Sequence, residues 1–178
     1  MVSGQNMSEA FWVFLWWSVA LYCLGLVVAS VAHECGHLLC ARICSIPIRL
    51  IVVGQGPVLM RGRVGKAQLE FRLFLFGGFV IPAALPNFRK RGPMALFFVG
   101  GVLGNMAMIG VVILLHVVGV APIVLLDEIG TPLLVPQEGI LVGTQVLIII
   151  LALIPQWGSM NGTPCASDGV QLLRVLSG

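Results

Sequence analysis

Three long apolar stretches dominate the pattern of hydrophobic and polar positions along the chain. The first, residues 11–42, contains 22 consecutive uncharged residues from Phe11 to Ala32, enough for a helix to cross about 30 Å of hydrocarbon. The second covers residues 94–120, and the third, which is shorter, covers residues 139–157. The pattern therefore predicts three membrane-spanning helices.

Residues 46–80, between the first two stretches, follow a different pattern. Glycines interrupt short β-prone runs, and from Leu69 to Leu75 the residues alternate with the period of two that is typical of a strand. We predict a small antiparallel sheet or hairpin that ends at Gly77-Gly78. Because an open sheet edge cannot face lipid, this element must lie at the membrane interface or inside a protein-lined cavity.

The composition places this arrangement in a lipid bilayer. Apolar residues occupy 58% of the 178 positions and charged residues 10%, with a mean hydropathy of +1.05. Soluble domains are about 45–50% apolar and about 25% charged, and disordered chains are less apolar still. We therefore expect an all-α polytopic membrane protein, one unit over residues 1–178, with three main transmembrane helices and the small β-element between the first and second.

The basic residues indicate how the chain is oriented in the membrane. Nine of the ten lie between positions 42 and 91, a stretch with one acid, Glu70. A basic run can mark nucleic-acid contact, but in so apolar a chain it favours a topology signal, because cytoplasmic loops collect Lys and Arg. We expect a multi-pass cell-membrane protein with loop 42–93 and the C-terminus in the cytoplasm, the N-terminus outside, and no nucleic-acid partner.

The segment His33-Glu34-Cys35-Gly36-His37 carries the strongest chemical signal. Residues four apart share a helix face, so both imidazoles can bind one Zn²⁺, with Glu34 placed as a general base. The alternative is a pair of buried histidines beside a structural glutamate. Ionisable groups inside a membrane are costly and usually functional, so we interpret the motif as a metal site toward the cytoplasmic side.

A catalytic zinc site needs a third protein ligand. Asp168 is the first candidate, because it lies just past the inner end of the third predicted span, at the depth of His33 and His37. Cys40 is its rival, since it continues the same helix face at i+7. Asn105, an amide within the second span, is predicted either to bridge helices or to donate to a developing oxyanion.

These residues resemble the site-2 protease family of intramembrane zinc metalloproteases, reduced to a bare catalytic core. The resemblance rests on the His33–His37 motif and on four further segments, which are Gly54-Gln55-Gly56-Pro57, Leu75-Phe76-Gly77-Gly78-Phe79-Val80, Gly101-Val102-Leu103-Gly104-Asn105 and Asp168-Gly169. Before Asp168 two alignments are possible, one placing Asn161 and Pro164 on the family's Asn-x-x-Pro element and one placing Ala152 and Pro155 there. Both keep Asp168.

The resemblance implies a zinc-dependent endopeptidase that cleaves single-span membrane proteins, with ligands His33, His37 and Asp168 and Glu34 as the base. The alternative function is a catalytically silent relative that binds membrane helices as a scaffold or chaperone. A helical substrate must unwind before cleavage. We expect strand Ala67–Leu75 to offer a free edge to which the unwound segment adds.

Overall fold

The computed structural model describes residues 4–83, 91–119, 137–160 and 163–177. In chain order the elements are α1 (Gly4–Ile43), β1 (Ile48–Val64), β2 (Ala67–Pro82), α2 (Arg91–Val117), α3 (Gln137–Leu153), β3 (Trp157–Met160), β4 (Thr163–Ala166) and α4 (Asp168–Ser177). Residues 120–136, which include Asp127 and Glu128, lie outside the described residues, as do Asn161, Arg89 and Lys90.

Two helices are long and apolar enough to cross a membrane, namely Phe11–Ile43 within α1 and Arg91–Val117, which is α2. At 1.5 Å per residue they extend about 50 Å and about 40 Å. Helix α3 matches the third predicted span but stops at Leu153, two residues before Pro155, which disfavours helical backbone in the residue preceding it. Its 17 residues extend only about 26 Å, less than a typical hydrocarbon core.

Helices α1 and α2 are in backbone contact along a row of small residues. A Cβ atom added to Gly36 would collide with the carbonyl oxygen of Gly100, and one added to Gly104 would collide with that of Ala32. Small residues at such crossings let membrane helices approach closely. The crossing holds the middle of α2 against the histidines of α1.

Strands β1 and β2 form a hairpin with an irregular ladder. Near the turn, Met60–Val64 pair with Phe71–Ala67, and farther along β1, Leu50–Val53 pair with Ile81–Gly78. Leu50–Val53 also pair with Gln68–Phe71, in a register in which the residue numbers of both segments increase together. Residues 68–71 therefore have a paired segment on each side. The expectation of a free edge along Ala67–Leu75 is therefore wrong over residues 68–71.

The β-structure is also larger than predicted. Strand β2 continues past Gly77-Gly78 to Pro82 instead of ending there, and a second hairpin, β3–β4, follows α3. At the base of this second hairpin, the Ser167 hydroxyl donates to the carbonyl of Ile154 at 2.8 Å and accepts from the amide of Gln156 at 3.1 Å. The chain thus returns close to the end of α3 before α4 begins at Asp168.

A small apolar cluster fixes α4 to the two long helices. Ala41 of α1, Phe97 and Phe98 of α2 and Val175 of α4 are buried together. Farther along α1 and α2, large apolar side chains such as Trp16 and Leu114 are exposed, as expected of surfaces that face lipid. The core therefore gathers at one end of the bundle, beside the histidines of α1.

Candidate metal centre

The first part of the site is built on a single turn of α1. His33, Glu34 and His37 are all buried, and the two imidazole rings meet edge to face with centroids 4.8 Å apart. The helical period brings His33 and His37 to the same face, while Glu34 projects from the adjacent position. The turn therefore presents two imidazoles and one carboxylate to the same interior region.

Asp168 joins this turn from the far end of the chain. Its Oδ2 atom lies 2.9 Å from Nε2 of His33 and 3.1 Å from Nε2 of His37, and the two Nε2 atoms are 3.2 Å apart. Ligands held at about 2.0–2.1 Å around a tetrahedral zinc ion stand roughly 3.3 Å apart. The triangle of donor atoms therefore fits a zinc ion with little adjustment.

The hydrogen bonding of His37 supports the same fit. Its Nδ1–H donates to the carbonyl oxygen of Phe97 at 2.7 Å, since a carbonyl can only accept. In the neutral ring Nε2 then carries a lone pair and points at His33 and Asp168. Backbone carbonyls commonly fix the tautomer of metal-binding histidines in this way.

The charge state of Asp168 also suits a ligand. Burial acts to raise the pKa of its carboxyl group, but the hydrogen bonds and charges of His33 and His37 outweigh burial and lower the pKa to about 2. The side chain is therefore ionised at neutral pH. An ionised carboxylate is the form that coordinates a metal.

Two glycines make room for the site side chains. A Cβ atom on Gly101 would overlap the ring of His33, and one on Gly78 would lie 3.0 Å from Cγ and Oε1 of Glu34. The other carboxylate oxygen of Glu34 has no hydrogen-bond partner among the described residues. The sequence analysis named the motifs that contain these two glycines but did not predict that either glycine contacts the site. It also missed the carbonyl of Phe97, because a sequence carries no signal for a backbone acceptor.

Three other residues singled out in the sequence are Cys40, Asn105 and Ala152. Cys40 is buried against Gly100 and is not part of the three-residue donor cluster found in the described chain. Asn105 is fully buried, one turn beyond Gly101 on α2, and neither end of its amide has a partner among the described residues. Ala152 lies near Gly169, because a Cβ added to Gly169 would be 3.4 Å from the carbonyl oxygen of Ala152.

The family comparison covers this whole arrangement. The profile of Peptidase family M50 matches residues 20–173, which include all four site residues from His33 to Asp168. The chain belongs to peptidase family M50. This family contains the site-2 proteases, so the resemblance found in the sequence is confirmed.

Curated relatives carry zinc metalloprotease names. Zinc metalloprotease Rip1 of Mycobacterium tuberculosis is 33% identical over 75 residues, which are 42% of this chain and 19% of that protein. Rip1 of Mycolicibacterium smegmatis is 29% identical over 79 residues, 42% of this chain and 20% of that protein. The matched region thus spans about a fifth of the length of these relatives.

Proposed function

We propose that this M50 chain is a zinc-dependent endopeptidase that hydrolyses peptide bonds in or beside the transmembrane segments of single-span membrane proteins. The observation that carries the proposal is the meeting of His33, His37 and Asp168 next to a buried Glu34, on a helix apolar enough to cross a membrane. Four ionisable groups at such a place are costly unless they serve a metal and a reaction.

In this proposal each residue has a separate task. His33, His37 and Asp168 hold Zn²⁺, which when bound polarises the scissile carbonyl and acidifies water. Glu34 takes a proton from the attacking water and returns it to the leaving amine. Asn105, whose amide has no partner among the described residues, would donate to the oxyanion that develops on the carbonyl.

Substrate presentation involves the sheet beside Glu34. Gly78–Ile81 pair with β1 on one side, and no described strand lies on the other. Because Gly78 contacts Glu34, a substrate segment added along this edge would pass close to the base. An extended peptide should then inhibit cleavage, while the same peptide N-methylated at alternate residues should not. Equal inhibition by both would exclude strand addition.

The orientation is part of the proposal and follows from charge. The basic segment 42–93 lies between the two candidate spans, and we place it and the C-terminus in the cytoplasm with the N-terminus outside. The metal centre, near the basic end of α1, then faces the cytoplasmic side of the cell membrane.

Cleavage by the purified protein tests the proposal. Reconstituted in vesicles, it should cut members of a panel of single-span proteins, lose this activity to a chelator and recover it with added zinc. A protein that holds zinc and binds these substrates without cutting any of them would instead be the silent scaffold or chaperone.

A further inference from the structure

The ladder between β1 and β2 has a gap beside α1. Phe74 pairs with Gln55 and Gly78 pairs with Val53, but residues 75–77 have no partner in the register. The amide of Gly77 donates instead to the hydroxyl oxygen of Ser30 on α1, at 2.8 Å. Ser30 is only 2% exposed, so the acceptor of this bond is buried.

Ser30 and Glu34 are four residues apart and share a face of α1. Gly77 bonds the first of them, and its neighbour Gly78 packs against the side chain of the second. Gly78 is also tight against the carbonyl of Val52, because a Cβ on Gly78 would lie 2.5 Å from that oxygen. Strand β2 therefore crosses α1 directly over Ser30 and Glu34.

We propose that Ser30 is a positioning residue for the catalytic base. Its hydroxyl holds Gly77 in place, Gly77 places Gly78, and Gly78 restricts the conformations of the Glu34 carboxylate. This inference rests on the proposed role of Glu34 in hydrolysis. The restriction matters because Oε2 of Glu34 has no partner among the described residues, so no hydrogen bond to that oxygen holds the carboxylate in place.

The physical reason for the bond is the cost of an unpaired amide in an apolar region. A backbone N–H that the ladder leaves open must find another acceptor. Ser30→Ala removes that acceptor while keeping a small residue with high helix propensity, so α1 itself should be unaffected. The segment around Gly77 should then move away from Glu34.

Hydrogen exchange tests the contact without any reference to catalysis. In Ser30→Ala, amides in residues 72–80 should exchange about fivefold faster than in the wild type, the loss expected for one hydrogen bond. The matched control is Thr144→Val, which also removes a buried hydroxyl, one that donates only within its own helix to Leu141. Unchanged exchange in Ser30→Ala would overturn the inference.

Kinetics tests the positioning role. Ser30→Ala should keep its zinc content and its KM within about twofold, while kcat falls about tenfold, because a misplaced base slows the chemical step. Ser30→Thr keeps the hydroxyl and should recover most of kcat. If an active wild type and Ser30→Ala share the same kcat, this inference fails alone. If the wild type holds zinc and cleaves nothing, the proposed function fails with it.

Discussion

His37 shows what a sequence can and cannot specify at the scale of single residues. Its spacing from His33 predicted a shared helix face, and the two rings do meet there. Its bond to the carbonyl of Phe97 was unpredictable, because every residue has a carbonyl and the partner is 60 positions away. Asp168 was identified as a candidate ligand from the expected depth of the helix ends. The β3–β4 hairpin that precedes it was not predicted.

The identity of the third ligand is tested by replacing each of the two candidates with alanine. Asp168→Ala removes the only carboxylate in the donor triangle of the described chain and should lower zinc affinity at least tenfold. Cys40→Ala should change zinc affinity little, because its thiol packs against Gly100. Metal analysis of the purified variants measures both, and loss of zinc in Cys40→Ala alone would move the site to the thiol.

At the scale of elements, small residues decide how closely the helices approach. The glycine-rich composition of the second span favours close helix contact. Composition does not separate Gly101, where an added Cβ would overlap the ring of His33, from Gly110, where an added Cβ would meet open space. That difference depends on how the helices are rotated, which no helix specifies by itself.

These two glycines provide a matched pair of variants. The added methyl group of Gly101→Ala would overlap the ring of His33, so the ring or the helix must shift and zinc affinity should fall at least tenfold. Gly110→Ala makes the same change on the same helix without a collision and should retain wild-type zinc affinity. Zinc titration of both proteins is the measurement, and equal affinities would show that α2 does not confine His33.

The β-element was predicted to exist, but its pairing was not. Alternation from Leu69 to Leu75 indicated a strand, whereas the second neighbour of residues 68–71 depends on β1 folding back beside them. Such non-local pairing leaves no periodic trace in either segment. The β3–β4 hairpin was missed for a related reason, because its closure depends on Ser167 and the end of α3.

At the scale of the whole molecule, the topology depends on which helices cross the membrane and on which side the basic segment lies. Two helices satisfy the length criterion, and the basic segment lies between them. Moving nine cations across the bilayer is unfavourable, so the segment 42–93 is expected to stay in the cytoplasm. In this proposed orientation, the metal centre would lie where cytoplasmic water can reach it.

Thiol labelling of intact cells tests the orientation. In a cysteine-free background, a cysteine replacing Lys66 at the β1–β2 turn should be protected from an impermeant reagent applied outside, and so should one near Lys90. A cysteine near Glu128 should be labelled. The last two positions lie outside the described residues and are chosen from charge alone. Labelling at Lys66 from outside would invert the topology.

The central claim is that Glu34 performs peptide hydrolysis at a zinc site made by His33, His37 and Asp168. The most direct measurement is cleavage of a single-span substrate by Glu34→Gln in vesicles, with zinc content determined on the same sample. Glu34 is not a ligand in this account, so the variant should hold as much zinc as the wild type and cleave at least a hundredfold more slowly. A zinc-loaded Glu34→Gln protein that cleaves at the wild-type rate would contradict the account.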